Sequence, residues 1–148
     1  MTKGTGTPQW RSMTDEQRAL AYSPSKALPD GDLTPYIDAY AKDSAETYAM
    51  YPDMQTLVYG DKPSQSIDLF VPTSETPVPL FIFIHGGYWQ ALSKRDSTFP
   101  AQGFLEQGIA FAAIDYTLAP HASLPEIQKE CIQAVLHLYK HAERYKLH

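Results

Sequence analysis

Cysteine is nearly absent from this chain: Cys131 is the only one. A lone thiol cannot close an internal disulfide, which excludes the disulfide-stapled secreted scaffolds and suits a reducing compartment. Long apolar runs are also missing. The stretches 80–84 and 109–114 are the longest, far short of the roughly 20 residues a membrane-spanning helix needs. Residues 1–17 are polar and carry no apolar segment of the signal-peptide kind, so a cytoplasmic protein with no membrane partner is expected. Positive charge is scarce as well. Lys and Arg number 12 against 17 Asp and Glu, a formal net charge of -5. No basic stripe forms, and a nucleic-acid partner is excluded on that ground.

The chain has 148 residues, of which 43% are hydrophobic and 20% charged, the composition of a soluble globular domain. Gly4, Gly6 and Pro8 punctuate a polar arm over residues 1–12. Thr14 and Gln17 are spaced as a capping box for a short helix ending at Ser23-Pro24. Pro35 at a first helical position predicts a second helix from Thr34 to about Met50. Its expected packed face is Ile37, Tyr40, Ala41, Ala45, Tyr48 and Ala49. Two short strands near 54–59 and 66–71 flank a Gly60-Asp61-Lys62-Pro63 turn, as in a hairpin.

From residue 80 the pattern becomes strand, helix, strand, helix. Leu80–Ile84 reads as a buried strand, residues 97–107 as a helix closed by Gly108, and residues 109–116 as a strand covered on both faces. Ser123 and Glu126 form a second capping box. They open a helix with Ile127, Cys131, Ala134, Val135, Leu138 and Ala142 at helical spacing. The fold class is α/β, with the last four elements a parallel βαβα unit.

The richest stretch joins the strand Leu80–Ile84 to His85-Gly86-Gly87-Tyr88-Trp89. Paired glycines allow positive φ and let bare backbone N–H groups approach a ligand. These residues, with Gln90, resemble the HGGxW motif of the arylformamidases (kynurenine formamidases), serine hydrolases of the α/β-hydrolase fold related to the hormone-sensitive-lipase-like esterases. Asp115-Tyr116-Thr117-Leu118-Ala119-Pro120 is similar to the D-Y-x-L-A-P segment after the fourth strand in both groups. Tyr22-Ser23-Pro24-Ser25 and Ser44-Ala45 also resemble the formamidase branch. The resemblance implies an oxyanion hole built on Gly87 and Tyr88 N–H groups, with Gly86 allowing the turn. His85 is then a structural residue that holds the loop, and Tyr88 and Trp89 are candidates for contact with an aromatic substrate.

Such enzymes carry their nucleophile in G-x-S-x-G. None of the ten serines here has a glycine two residues before it. The expectation is therefore the N-terminal half of a hydrolase, stopping before the nucleophile elbow. Residues 1–50 would be a helical arm and possible lid, and residues 51–148 the first part of the core. The parent reaction would be hydrolysis of a small amide or ester, with N-formylkynurenine-like formamides first and carboxylic esters as the alternative. The chain alone would be inactive. A non-enzymatic remnant or binding protein is the competing class. No cofactor is implied, and a homodimer stays open. A parallel sheet cut after its fourth strand would also leave a hydrophobic edge.

The remaining candidates have plainer readings. Asp115 would lie at the carboxyl end of its strand, where open α/β sheets bind ligands, bonding structurally, and His121 in the following loop would line the rim. His137 and His141 are four apart on one helix face, but no third ligand accompanies them, so a solvated face is expected and no metal. Cys131 sits on an apolar stripe and reads as an inert buried thiol.

Overall fold

A computed structural model describes residues 9–28 and 30–148. The arm expected over 1–12 lies outside these up to residue 8; from Gln9 to Ser12 the chain makes a 3-10 turn. The chain divides into two compact units, one ending at Ile37 and one spanning Asp38–His148.

In the first unit, helix α1 (Asp15–Ala21) opens on the expected capping box. The Thr14 hydroxyl accepts from Gln17 N at 3.1 Å, and the Gln17 side chain accepts from Thr14 N at 2.9 Å. Two of the N–H groups that every helix start leaves orphaned are satisfied in this way. Helix α2 (Thr34–Met50) has the predicted bounds.

The packed face of α2 is the predicted one only in part: Ala41 and Tyr48 are half-buried, Tyr48 against Phe70. Its buried residues are Ser44 and Thr47, whereas Ile37, Tyr40, Ala45 and Ala49 are exposed. Hydrogen bonds join aromatic contacts of Tyr48 with Phe70 and Tyr40 with Phe99 in attaching this helix. The Ser44 hydroxyl accepts from the backbone N–H groups of Thr98 and Phe99, each at 3.1 Å.

The second unit is built on a four-stranded sheet of β1 (Gln55–Val58), β2 (Ser66–Phe70), β3 (Leu80–Ile84) and β4 (Ala110–Ile114). Spatial order is β1-β2-β4-β3. β1 and β2 form the expected hairpin, β2 pairs antiparallel with β4, and β3 runs parallel to β4 with Phe83 opposite Ala113. Helix α3 covers only Ala101–Leu105, shorter than predicted. Pro100 precedes it, and Gly108, at φ 72°, ends the turn after it. Helix α4 runs Leu124–Lys140 from its predicted box.

The period-two alternation of β4 sorts the core into two layers. Ala110, Ala112 and Ile114 join Ile67, Leu69, Ala134 and Leu138 beneath α4. Phe111 and Ala113 join Phe70, Ala101 and Leu105 on the opposite face. β4 is wholly buried, as predicted. β3 is not: it is the sheet edge, with Phe81 and Ile84 39% and 46% exposed. The chain crosses back to place β4 between β2 and β3, so the open hydrophobic edge lies on the third strand. At its start the last residues lie alongside, Val78 N–H donating to Lys146 O and His148 N–H to Val78 O.

Candidate active site

Because β3 and β4 are parallel, their carboxyl ends place two loops side by side, His85–Leu92 and Asp115–Pro120. His85 is buried and its ring stacks on Tyr116, centroids 4.2 Å apart and 5° from parallel. His85 Nδ1 lies 2.9 Å from Gly86 O. Its Nε2 lies 3.2 Å from Asp115 Oδ1 without forming a hydrogen bond to it. The Tyr116 hydroxyl donates to His85 O at 2.9 Å. Burial, with the Cys131 and Asp115 charges adding to it, pushes that hydroxyl up to about 12, so it is a fixed donor at neutral pH.

The turn falls on Gly87 rather than on Gly86. Gly87 has φ 92°, and a Cβ there would run into the Ala91 carbonyl, 2.6 Å from its carbon. Gly86 has open space and no left-handed φ. Tyr88, Trp89 and Leu92 are themselves left-handed, at φ 55°, 62° and 68°. Each such residue costs about 1–2 kcal/mol relative to right-handed backbone. The Gln90 and Ala91 N–H groups both donate to Gly87 O at 3.0 Å, and Ala119 N–H braces Trp89 O at 2.8 Å. Among the described residues, no backbone or side-chain group accepts from the N–H groups of Gly87, Tyr88 or Trp89. Strain of this kind, held by surrounding contacts, clusters at ligand sites. Tyr88 and Trp89 project their rings outward, 69% and 44% exposed.

Glu130 of α4 holds the second loop. Its buried carboxylate accepts from Thr117 N at 2.7 Å, Thr117 Oγ1 at 3.1 Å and Lys62 Nζ at 2.9 Å. Burial alone would raise this carboxyl, but the Lys62 and Thr117 hydrogen bonds outweigh it and hold the group below its usual range. Tyr59 OH donates to Asp115 O at 2.6 Å.

Asp68, fully buried on β2, accepts from three elements: Lys94 Nζ at 2.7 Å, Thr56 Oγ1 at 2.7 Å and Tyr48 OH at 2.6 Å. Sequence reasoning missed Asp68, Lys94, Glu130 and Tyr116 as site-building residues. A signal existed for two of them. Asp68 is a lone charge in an apolar strand, and Glu130 falls between Ile127 and Ala134 on the packed face of α4.

The other candidates stay apart from the loops or on their rim. His121 is exposed. His137 and His141 lie toward the far end of α4 with rings 4.6 Å apart. Burial, reinforced by the nearby His141 and Arg144 charges, holds the His137 imidazole below its usual value. Among the described residues no three His, Cys, Asp or Glu side chains converge as a metal site. Cys131 is half-buried rather than buried, in a cleft with Ile84, Ile132, Val135 and Leu136. Burial and the Glu130 charge push its thiol up.

Comparison with known proteins bears on this arrangement. Residues 67–148, from β2 through both loops to α4, match the family model BD-FAE. The chain belongs to the BD-FAE family. Kynurenine formamidase of Danio rerio is 29% identical over 140 residues, 89% of this chain and 48% of that relative. The crystal structure of a protein assigned as a thioesterase, from Silicibacter sp. TM1040, superposes with TM-score 0.75 at 33% identity, covering 81% of this chain and 45% of the other. A bacterial heroin esterase gives TM-score 0.59 at 26% identity, covering 87% and 44%. The molecule is thus an arylformamidase-like α/β-hydrolase in fold, and this BD-FAE chain spans about half the length of the curated relatives it matches. Among the described residues no helix is long and apolar enough to cross a membrane.

Proposed function

We propose that this BD-FAE chain contributes the oxyanion hole of a serine hydrolase that cleaves amide or ester bonds through an acyl-enzyme. One observation carries the reading: the unpaired N–H groups of Gly87 and Tyr88, in a strained turn at the carboxyl end of a parallel strand. A tetrahedral intermediate develops negative charge on the former carbonyl oxygen, and preorganised N–H donors stabilise it without reorganisation. His85 and Tyr116 hold the turn from beneath and do not transfer protons in this scheme.

The attacking serine is supplied by polypeptide outside these 148 residues, since no serine here stands in a G-x-S-x-G context. Formamides of the N-formylkynurenine kind are the first substrate class. The identity with kynurenine formamidase supports that choice, and so do the exposed Tyr88 and Trp89 rings, which offer faces for an aromatic substrate. Small carboxylic esters are the second class, favoured by the similarity to the heroin esterase.

Two experiments test this. The coding sequence downstream of codon 148 is read for an in-frame G-x-S-x-G within about 30 codons; its absence favours a binding remnant. The 148-residue chain is assayed with p-nitrophenyl acetate and N-formylkynurenine and turns over neither. Turnover by this chain that a fluorophosphonate abolishes would sink the assignment of the nucleophile to other polypeptide.

A further inference from the structure

We infer that the buried Asp68–Lys94 pair is a positioning device that holds the Gly87–Trp89 turn in its left-handed, donor-presenting form. The inference rests on the oxyanion reading above and adds residues that reading does not use.

Lys94 lies two residues beyond Leu92, the last left-handed residue of the loop, at the start of a 3-10 turn over Lys94–Asp96. Its side chain is 9% exposed, and among the described residues its ammonium has one partner, Asp68 Oδ1. Asp68 is held in turn from two further elements, by Tyr48 OH of α2 and Thr56 Oγ1 of β1. Neighbouring contacts tie the same arm down. The Arg95 guanidinium sits 4.5 Å over the Tyr48 ring, Ser44 Oγ takes both Thr98 N–H and Phe99 N–H, and Tyr40 stacks on Phe99 at 4.8 Å. The arm over 93–99 is therefore anchored by a carboxylate and a helix face, while the turn over 87–92 is closed by its own Gln90 and Ala91 bonds to Gly87 O and braced by Ala119.

A buried ion pair is weak as a source of net stability, because desolvation cancels much of the attraction. What it supplies is discrimination: Lys94 has one low-energy place to put its charge. With Lys94 drawn inward, the chain reverses at Leu92, two residues before it, and this fixed exit favours the left-handed backbone of residues 88, 89 and 92. Released from Asp68, the arm would move outward. Tyr88 and Trp89 would then fall back to right-handed or extended φ, turning their N–H groups from their present directions.

The test uses the 148-residue chain labelled with 15N-glycine and 15N-tyrosine. The Tyr88 three-bond HN–Hα coupling, read together with the intraresidue HN–Hα NOE that is strong only in left-handed backbone, reports φ, and titration with sodium formate, a carboxylate probe for the donor site, reports the N–H array. In the wild-type chain, Gly87 and Tyr88 amides shift saturably with formate. The Asp68→Asn/Lys94→Met double variant removes both charges at nearly constant volume. It is expected to melt near the wild-type temperature yet change the Tyr88 coupling and lose the formate shift. Tyr48→Phe, which keeps both charges and removes one donor to Asp68, is the milder probe should the double variant fail to fold. It is expected to move the same coupling in the same direction by a smaller amount. An unchanged Tyr88 coupling in a folded variant overturns the positioning role. A wild-type chain whose Gly87 and Tyr88 amides ignore formate overturns the oxyanion reading instead, and the coupling still decides the role of Asp68 and Lys94.

Discussion

Adding one methyl group at Gly87, and the same methyl at Gly86, should have opposite outcomes. At Gly87 an alanine must hold φ near 92° with its Cβ inside the Ala91 carbonyl and 3.2 Å from Leu92 Cγ. Left-handed backbone costs a non-glycine residue about 1–2 kcal/mol. Relieving the overlap means opening the turn, which breaks the Gln90 and Ala91 N–H bonds to Gly87 O; each contributes about 0.5–1.5 kcal/mol. The sum is on the order of 2–5 kcal/mol if both bonds go. An opened loop also releases the strain at Tyr88 and Trp89, so the lower half of that range is the expected loss in equilibrium urea unfolding. At Gly86 a Cβ meets nothing within 4 Å, and the change should stay within about 0.5 kcal/mol. In an active hydrolase containing this loop, Gly87→Ala should also cut kcat by roughly 100- to 1,000-fold, the loss typical of one oxyanion donor. Equal stabilities for the two alanine variants would refute the conformational argument, because composition cannot tell the glycines apart and only the fold does.

Asp68→Ala leaves the Lys94 ammonium buried without its carboxylate and should cost about 3–5 kcal/mol in thermal or urea melting; a loss under about 1 kcal/mol would mean that the pair is solvated. Glu130 titrates below its ordinary 4.5 in the fold, so its contribution is fully present above the unfolded value and disappears as pH falls through the folded one. Urea unfolding across that acid window should therefore show a shallower decline for Glu130→Gln than for the wild-type chain, and parallel curves would contradict it. The Cys131 thiol, pushed up by burial and the Glu130 charge, should react with iodoacetamide at neutral pH more slowly than free cysteine, as followed by intact mass; faster alkylation would count against it.

Much of this fold was legible because its signals are local. Thr14 with Gln17 and Ser123 with Glu126 each close a capping box three residues wide. Pro35 and Gly108 mark a start and a stop that backbone chemistry demands. The alternation in Ala110–Ile114 survives as two buried faces. Reading failed where helical spacing was taken to mean an apolar face. In α2 the fully buried positions are Ser44 and Thr47, and Ser44 is held there by a pair of backbone donors 54 and 55 residues away.

The sequence by itself determined which segments are helices and strands, and it marked His85-Gly86-Gly87-Tyr88-Trp89 as the place to look for chemistry. Both are written in spacings of two to four residues. Only the tertiary structure decided that β3 is the edge of the sheet, that Gly87 and not Gly86 makes the turn, and that Asp68 and Lys94, 26 residues apart, close on each other. Those outcomes depend on which strand inserts between which others and on where a buried charge finds its only partner. Neither leaves a period in the chain, because each is set by packing that exists only after the segments have met.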